Sequence, residues 1–521
     1  MPPFKRRTFV VHPCAMGRVS AKRLPRALAA SAVALALTVA RVASPDAPSP
    51  PAPAPSPPAA PPSAPLSGPI QAAVRALANE HVFKDAVISL EIADVDTGQI
   101  LASFHEHTAV NPASNAKLYT AATALATLHG DHHFETALLG TIKGSAVTGN
   151  LVLRGYGDPS LTTADLFEMV QELKASGVRE VKGDVTVDQR FFDEETTPPG
   201  FEQQPNEWAA FRAPVSAVAL NENTVTLSVR PGEVGANAQV RFDPPGFVDV
   251  EGQVKTSESG ADTVGLELSG SGGRLHAKLS GAVSRDSRIV RYTRRVEDPS
   301  LLAGFALRAL LEDAGIKVGS ETVKLATGRE GPVIAKHESA PLSALLYALG
   351  KQSDNFYAEM VFKALGGEKK GRPAKSASGA ELVQRWVDKV GAGDSGLVFK
   401  NGSGLFDSNR ATAASVVGLL RAAWRDPTVQ PEFVAQLSIG GVDGTLKHRF
   451  HGARTHRVVR AKTGTLEDAA ALSGYVLSPS GKGPVAFSIL FNHVAGKVAA
   501  ARAAADTLVD IIARTQSNEG R

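Results

Sequence analysis

Three short strings, far apart in the chain, constrain this sequence more than any other feature: Ser114-Asn115-Ala116-Lys117, Ser353-Asp354-Asn355 and Lys462-Thr463-Gly464. Each alone has a bland reading: an exposed helix face, a helix N-cap and a hairpin glycine, respectively. Their context favours chemistry. Asn111-Pro112-Ala113 precedes Ser114, and the run from Leu118 to Leu128 is apolar on nearly every face, so a buried helix entered through a proline is expected. Ser114 then sits at the helix N-terminus with Lys117 on the same side, one turn along. A serine hydroxyl is a poor nucleophile at neutral pH. A lysine serves as its base if burial or a second cation lowers the lysine pKa, and Lys462 can supply that second charge.

Lys462-Thr463-Gly464-Thr465 reads as a strand. It is followed by an apolar stretch from Ala469 to Leu477, a turn over Ser478 to Pro484 and a second strand, Val485 to Asn492. A substrate peptide can pair with the edge of such a strand, where a glycine admits another backbone. The backbone N–H groups of Ser114 and Thr465 then become candidate oxyanion donors, with the Lys462 ammonium and the Thr463 and Thr465 hydroxyls set to grip a terminal carboxylate. Ser353 would pass a proton between Lys117 and a leaving amine, and the Asn355 amide would hold a substrate carbonyl. Phe356 to Phe362 has helical apolar spacing, which leaves the capping role for Ser353, Asp354 or Asn355 open as well.

The ordered trio matches the S-x-x-K, S-D-N and K-T-G set of penicillin-binding proteins and serine β-lactamases. Ser353 follows Lys117 by 236 positions, far more than in class A β-lactamases. With this spacing the chain resembles the class C low-molecular-mass penicillin-binding proteins, the D-alanyl-D-alanine carboxypeptidase/endopeptidase family. Further family-like strings are Gly155 to Leu161, Gly183 to Asp188 with Arg190-Phe191-Phe192, Ala213 to Ala217 with Leu220 to Asn223, Asn401 to Leu405 and Gly441 to Thr445. The likeness runs from about residue 75 to 515. Two departures stand out: Asn401 replaces the usual aspartate, and Glu467 and Asp468 follow the K-T-G string where relatives carry small uncharged residues. Asn206, Glu207 and Phe211 lie where relatives place side-chain-recognition groups.

The chain ends bear on compartment. Residues 1–43 hold eight basic side chains and no acidic one, with an apolar run from Ala27 to Ala40. That is the pattern of a secretory signal, too short for a comfortable permanent span. Met16 is a second candidate start, and Arg6-Arg7-Thr8-Phe9 resembles a twin-arginine signal. Loss of those eight charges takes the formal net charge from +4 to −4, so the basic character belongs to the leader and argues against nucleic-acid binding. Cys14 is the only cysteine and lies in the leader, which excludes disulfides and thiol catalysis from the mature chain. Residues 44–69 are nearly all Pro, Ala and Ser, an extended tether.

Strand-like alternation dominates from Thr136 to Arg295, as in Gln239 to Phe242, Val264 to Leu268 and Leu275 to Leu279, and a wide apolar stripe over Asp298 to Gly315 marks a helix. The resemblance implies an α+β fold, in which a penicillin-binding-protein/serine β-lactamase-like catalytic domain (antiparallel sheet flanked by helices) carries a large β-rich insertion of nested domains. The expected division is catalytic 70–135 and 339–521, inserted domain II 136–212 and 297–338, and nested domain III 213–296. Val498 to Ala513 would be the closing helix, packed on the sheet beside the Ser114 helix. His129 and His133 have a zinc-like spacing, but Gly130 between them and the missing glutamate make surface histidines the better reading.

The function these features imply is an exported serine D-alanyl-D-alanine carboxypeptidase, also a D,D-endopeptidase, acting on peptidoglycan stem peptides in the periplasm or cell wall and inhibited by β-lactams. Ser114, Lys117, Ser353 and Asn355 are the catalytic candidates, and Lys462, Thr463, Gly464 and Thr465 the substrate-binding ones. No metal or organic cofactor, nucleic acid or permanent membrane span after processing is expected. A β-lactamase or esterase using the same serine, and a non-catalytic wall-binding protein, are the alternatives.

Overall fold

The computed structural model describes residues 68–270, 273–328, 331–478 and 483–518. The expected leader, 1–43, and all but the last two residues of the tether lie outside the described residues.

The two ends of the described chain build one six-stranded antiparallel sheet, in the order Ser438–Ile439, Val459–Thr465, Ala470–Val476, Val485–Asn492, Val87–Asp94, Ile100–Phe104. Its central strands are buried on both faces, which is why Ala469 to Leu477 reads as continuously apolar rather than alternating. The faces nonetheless differ in chemistry. Ile88, Leu90, Ile92, Leu472, Phe487, Ile489 and Phe491 point into a core shared with helices Pro69–Ala78 and Val498–Asn518. On the opposite face sit buried Ser89, Glu91, Ser473 and Ser488. There Asn115 Nδ2 donates to Ser473 Oγ at 2.7 Å, and Ser473 Oγ lies 2.9 Å from Ser488 Oγ.

The Ser114 helix, Ala116–Leu128, belongs to this second side. It packs with helices Asn355–Lys370, Ser376–Lys389 and Ala413–Arg425 in a separate core. The closing helix therefore covers the sheet face opposite the Ser114 helix instead of lying beside it. Alternation along each strand sends neighbouring side chains to opposite faces, so a sheet whose central strands are buried on both faces needs a cover on each.

A second, seven-stranded sheet uses residues on either side of the middle of the chain. Glu135–Lys143, Ala146–Gly155, Glu180–Val181 and Val185–Asp188 pair with Lys317–Val318, Val323–Leu325 and Val333–Glu338. Strands between Thr224 and Arg295 form three smaller sheets. Gln239–Asp243, Gly265–Ser269 and Leu275–Ser280 fall within a residue of the expected strands. Helix Leu302–Asp313 occupies the expected stripe. The strand-like region also contains a helix, Thr163–Ala175, that alternation alone did not reveal. Its signals are local: Thr162 and Asp165 form a capping box, and Leu166, Met169, Val170 and Leu173 fall on one buried face.

Candidate active site

The nucleophile candidate sits on a 3₁₀ turn, Ala113–Asn115, that feeds directly into the buried helix. Asn111 fixes the turn: its Oδ1 accepts from Ala113 N at 2.9 Å while its Nδ2 donates to Phe406 O at 3.0 Å. Ala113 is held at a φ of 48°, and the Gly404 backbone presses against it so closely that a Cβ on Gly404 would lie 1.9 Å from Ala113 O. The loop containing Gly402, Ser403 and Gly404 is thus part of the support under Ser114.

Lys117 is fully buried, with Nζ 3.0 Å from Ser114 Oγ, 2.7 Å from Asn355 Oδ1 and 2.8 Å from Ser403 O. Burial pushes its pKa down to about 7, against the opposing pull of the Glu359 and Asp354 carboxylates. Glu359, one helical turn beyond Asn355, is itself buried and accepts from the backbone N–H groups of Gly402 and Ser403 at 3.1 and 2.8 Å. It fixes the loop whose carbonyl receives Lys117.

Ser353 adopts a left-handed conformation, φ 62°, between the turn Ala348–Gln352 and helix Asn355–Lys370. Within the Ser-Asp-Asn string the capping role falls to one residue. Asp354 is the N-cap, accepting from Tyr357 N at 2.9 Å, and it leaves Ser353 and Asn355 facing the two lysines. Lys462 Nζ donates to Ser353 Oγ at 2.7 Å and to Thr463 O at 2.8 Å. Lys462 is also fully buried, and burial followed by the nearby Lys117 charge holds its pKa well below the usual lysine range. Asn355 divides its amide between Lys117 and the backbone of Phe211, with Nδ2 donating to Phe211 O at 3.1 Å.

The strand carrying Lys462 has an open edge beside the pocket. Ser438–Ile439 pairs with Ala461 and Arg460, so among the described residues the backbone from Lys462 to Thr465 has a strand partner on one side alone. Gly464 lies against the Ala113–Asn115 turn, where a Cβ would lie 3.0 Å from Pro112 O. Ser114, Ser353, Thr463 and Thr465 line a pocket of about 290 Å³ together with Thr445, Arg449 and Arg502.

All eight residues singled out from the sequence therefore meet in one place. Ser403, Glu359, Arg449 and Arg502 join them without having been picked out individually. Glu359 had a signal, a carboxylate four residues after Asn355 and four before Lys363 within an apolar run; Arg502, in an alanine-rich helix, had none. Asn401 is buried and donates through Nδ2 to Pro199 O at 2.8 Å, a bond that an ionised aspartate could not make. Glu467 and Asp468 are exposed beside Thr465 on a neighbouring pocket of about 680 Å³.

Comparisons agree with this geometry. The model of the D-Ala-D-Ala carboxypeptidase 3 (S13) family matches residues 70–515. A D-alanyl-D-alanine carboxypeptidase of Actinomadura sp. (strain R39) is 34% identical over 441 residues, 81% of this chain and 81% of that one. The D-alanyl-D-alanine carboxypeptidase DacB of Haemophilus influenzae is 27% identical over 410 residues, 77% of this chain and 84% of that one. The crystal structure of penicillin binding protein 4 (dacB) from Haemophilus influenzae superposes with a TM-score of 0.68 at 25% identity, covering 81% of this chain and 93% of its own. With its α+β fold, the chain belongs to the D-Ala-D-Ala carboxypeptidase 3 (S13) family of serine-type hydrolases, the class C low-molecular-mass penicillin-binding proteins.

Proposed function

We propose that this protein is an exported D-alanyl-D-alanine carboxypeptidase, with D,D-endopeptidase activity, that cleaves peptidoglycan stem peptides through an acyl-enzyme on Ser114 and is inhibited by penicillins. The observation that carries the reading is the pair of lysine–serine contacts flanking one pocket, Lys117 Nζ to Ser114 Oγ at 3.0 Å and Lys462 Nζ to Ser353 Oγ at 2.7 Å. A D-Ala-D-Ala end pairs with the open edge from Lys462 to Thr465, its scissile carbonyl oxygen taken by the N–H groups of Ser114 and Thr465. Neutral Lys117 accepts the Ser114 proton as Oγ bonds to the penultimate D-alanine carbonyl carbon. The proton reaches the leaving nitrogen through Ser353 Oγ, the C–N bond breaks, and D-alanine or the crosslinked partner departs. Water then hydrolyses the ester. Lys462 holds Ser353 in place through its 2.7 Å hydrogen bond, and burial of Lys117 disfavours a proton there.

Support for β-lactam binding comes from the Haemophilus influenzae penicillin binding protein 4, whose structure in complex with a β-lactam superposes with a TM-score of 0.63 at 26% identity. Export rests on the basic and apolar pattern of residues 1–43. We further read residues 136–212 with 297–338 as inserted domain II and 213–296 as nested domain III, which follows the grouping of strands into sheets.

Purified protein should remove D-alanine from muropeptide monomers and split crosslinked dimers, read by mass spectrometry, and should form a covalent adduct with a fluorescent penicillin that Ser114→Ala abolishes. Stoichiometric labelling of the alanine variant, or intact muropeptides after prolonged incubation, would overturn the reading.

A further inference from the structure

A carboxypeptidase must recognise the free carboxylate beside its scissile bond, and Lys462 is poorly placed to do so. It is fully buried, donates to Ser353 Oγ and Thr463 O, and does not line the pocket in front of Ser114. Strand alternation explains the placement. Lys462 and Gly464 point toward the nucleophile turn, whereas Thr463 and Thr465 point to the sheet face covered by helix Val498–Asn518.

Two guanidinium groups stand on that side of the pocket, Arg449 and Arg502. Arg449 is committed to Asp506: its Nε lies 3.1 Å from both carboxylate oxygens, and its Nη2 is 2.5 Å from Oδ1. Arg502 is exposed, makes no ion pair with a carboxylate among the described residues, and donates through Nη2 to Thr465 Oγ1 at 2.6 Å. Because Thr465 accepts that bond, its own hydroxyl proton remains available for an anion.

We infer that Arg502 is the cation that recognises the carboxylate of the residue on the leaving side of the scissile bond, acting together with the Thr463 and Thr465 hydroxyls. The inference rests on the peptidase reading above. One carboxylate oxygen accepts from a threonine hydroxyl and the other from the guanidinium fork, a pairing that a planar, permanently charged group makes better than an ammonium. This anchor fixes the register of the peptide along Lys462 to Thr465, so that the scissile carbonyl lies over Ser114 Oγ.

The test compares kcat/KM of wild type, Arg502→Ala and Arg502→Lys on an acylated D-Ala-D-Ala peptide and on the same peptide ending in a carboxamide. Arg502 is exposed on an alanine-rich helix, so alanine suits the site, and circular dichroism checks the fold. Arg502→Ala should lose about 10- to 100-fold on the carboxylate peptide, the range expected for one charge-assisted hydrogen bond. Its loss on the carboxamide should be less than about threefold, and Arg502→Lys should recover part of the difference. Equal losses on both peptides, or no loss on the carboxylate, would overturn the assignment. A wild-type enzyme that neither cleaves the peptide nor labels with penicillin would instead overturn the peptidase reading, and this inference with it.

Discussion

Lys117 exposes no surface, touches three oxygens and has a pKa near neutrality. A buried amine surrounded by acceptors can serve as a base only in its neutral form, and desolvation favours that form. The charged groups around it are Glu359, Asp354 and Lys462. Below about pH 7 the neutral fraction falls tenfold per pH unit, so penicillin acylation of Ser114 should rise with pH up to about 7 and then level off. Glu222, also pushed up to about 7 by burial and by Asp354, titrates in the same window. Glu222→Gln should leave the inflection in place, and stopped-flow acylation rates that stay flat from about pH 5 to 8 would exclude Lys117 as the base. Lys117 could be read from the sequence, because an all-round apolar helix leaves little solvent for an amine. Arg502 could not, since nothing in an alanine-rich segment says which sheet edge it will meet.

The element that matters most is the short turn before the Ser114 helix, and a loop from elsewhere in the chain supports it. Gly404 has a φ of 74° and lies against Ala113 O with no room for a Cβ. Gly404→Ala meets both a left-handed backbone penalty and a backbone clash that no side-chain movement relieves. The expected result is a destabilisation of about 1–3 kcal/mol by chemical denaturation, with acylation slowed ~10- to 100-fold because the clash displaces the residue before the nucleophile. Unchanged acylation would show that the turn is positioned without this loop. The strands of the six-stranded sheet were legible because their apolar runs and turn residues are local, Val485–Asn492 matching to the residue. The Thr163–Ala175 helix escaped because its capping box is brief and strand-like segments surround it.

Across the whole molecule, the segment from Asp193 to Phe211, which follows the strands of the seven-stranded sheet, is tied to helix Asn355–Lys370 and to the loop at Asn401. Lys363, buried in helix Asn355–Lys370, lies 2.5 Å from Asp193 Oδ1, donates to Glu195 O at 2.6 Å and sits 5.2 Å from the Phe192 ring centroid. Asn401 and Asn355 reach Pro199 O and Phe211 O. Lys363→Met keeps an unbranched apolar side chain out to Cε but leaves the Asp193 charge and a carbonyl without their partner, an expected loss of about 3 kcal/mol. Limited proteolysis should then cut between residues 193 and 212 before the catalytic core. A melting temperature within a degree of wild type, with no new cleavage, would show that the strap is held by other contacts.

The sequence by itself determined the chemistry available to this protein: one serine–lysine pair a helical turn apart, a second serine, a strand with a lysine and a glycine, and the family to which that order and spacing belong. These are local patterns, and helix and strand periodicity places them on elements without any knowledge of neighbours. The tertiary structure alone decided which face each element covers, that Lys462 is sealed away as fully as Lys117, and which arginine stands in the open. Those outcomes depend on contacts between segments more than a hundred residues apart, such as Lys462 with Ser353 and Lys117 with Ser403, and no local period encodes them.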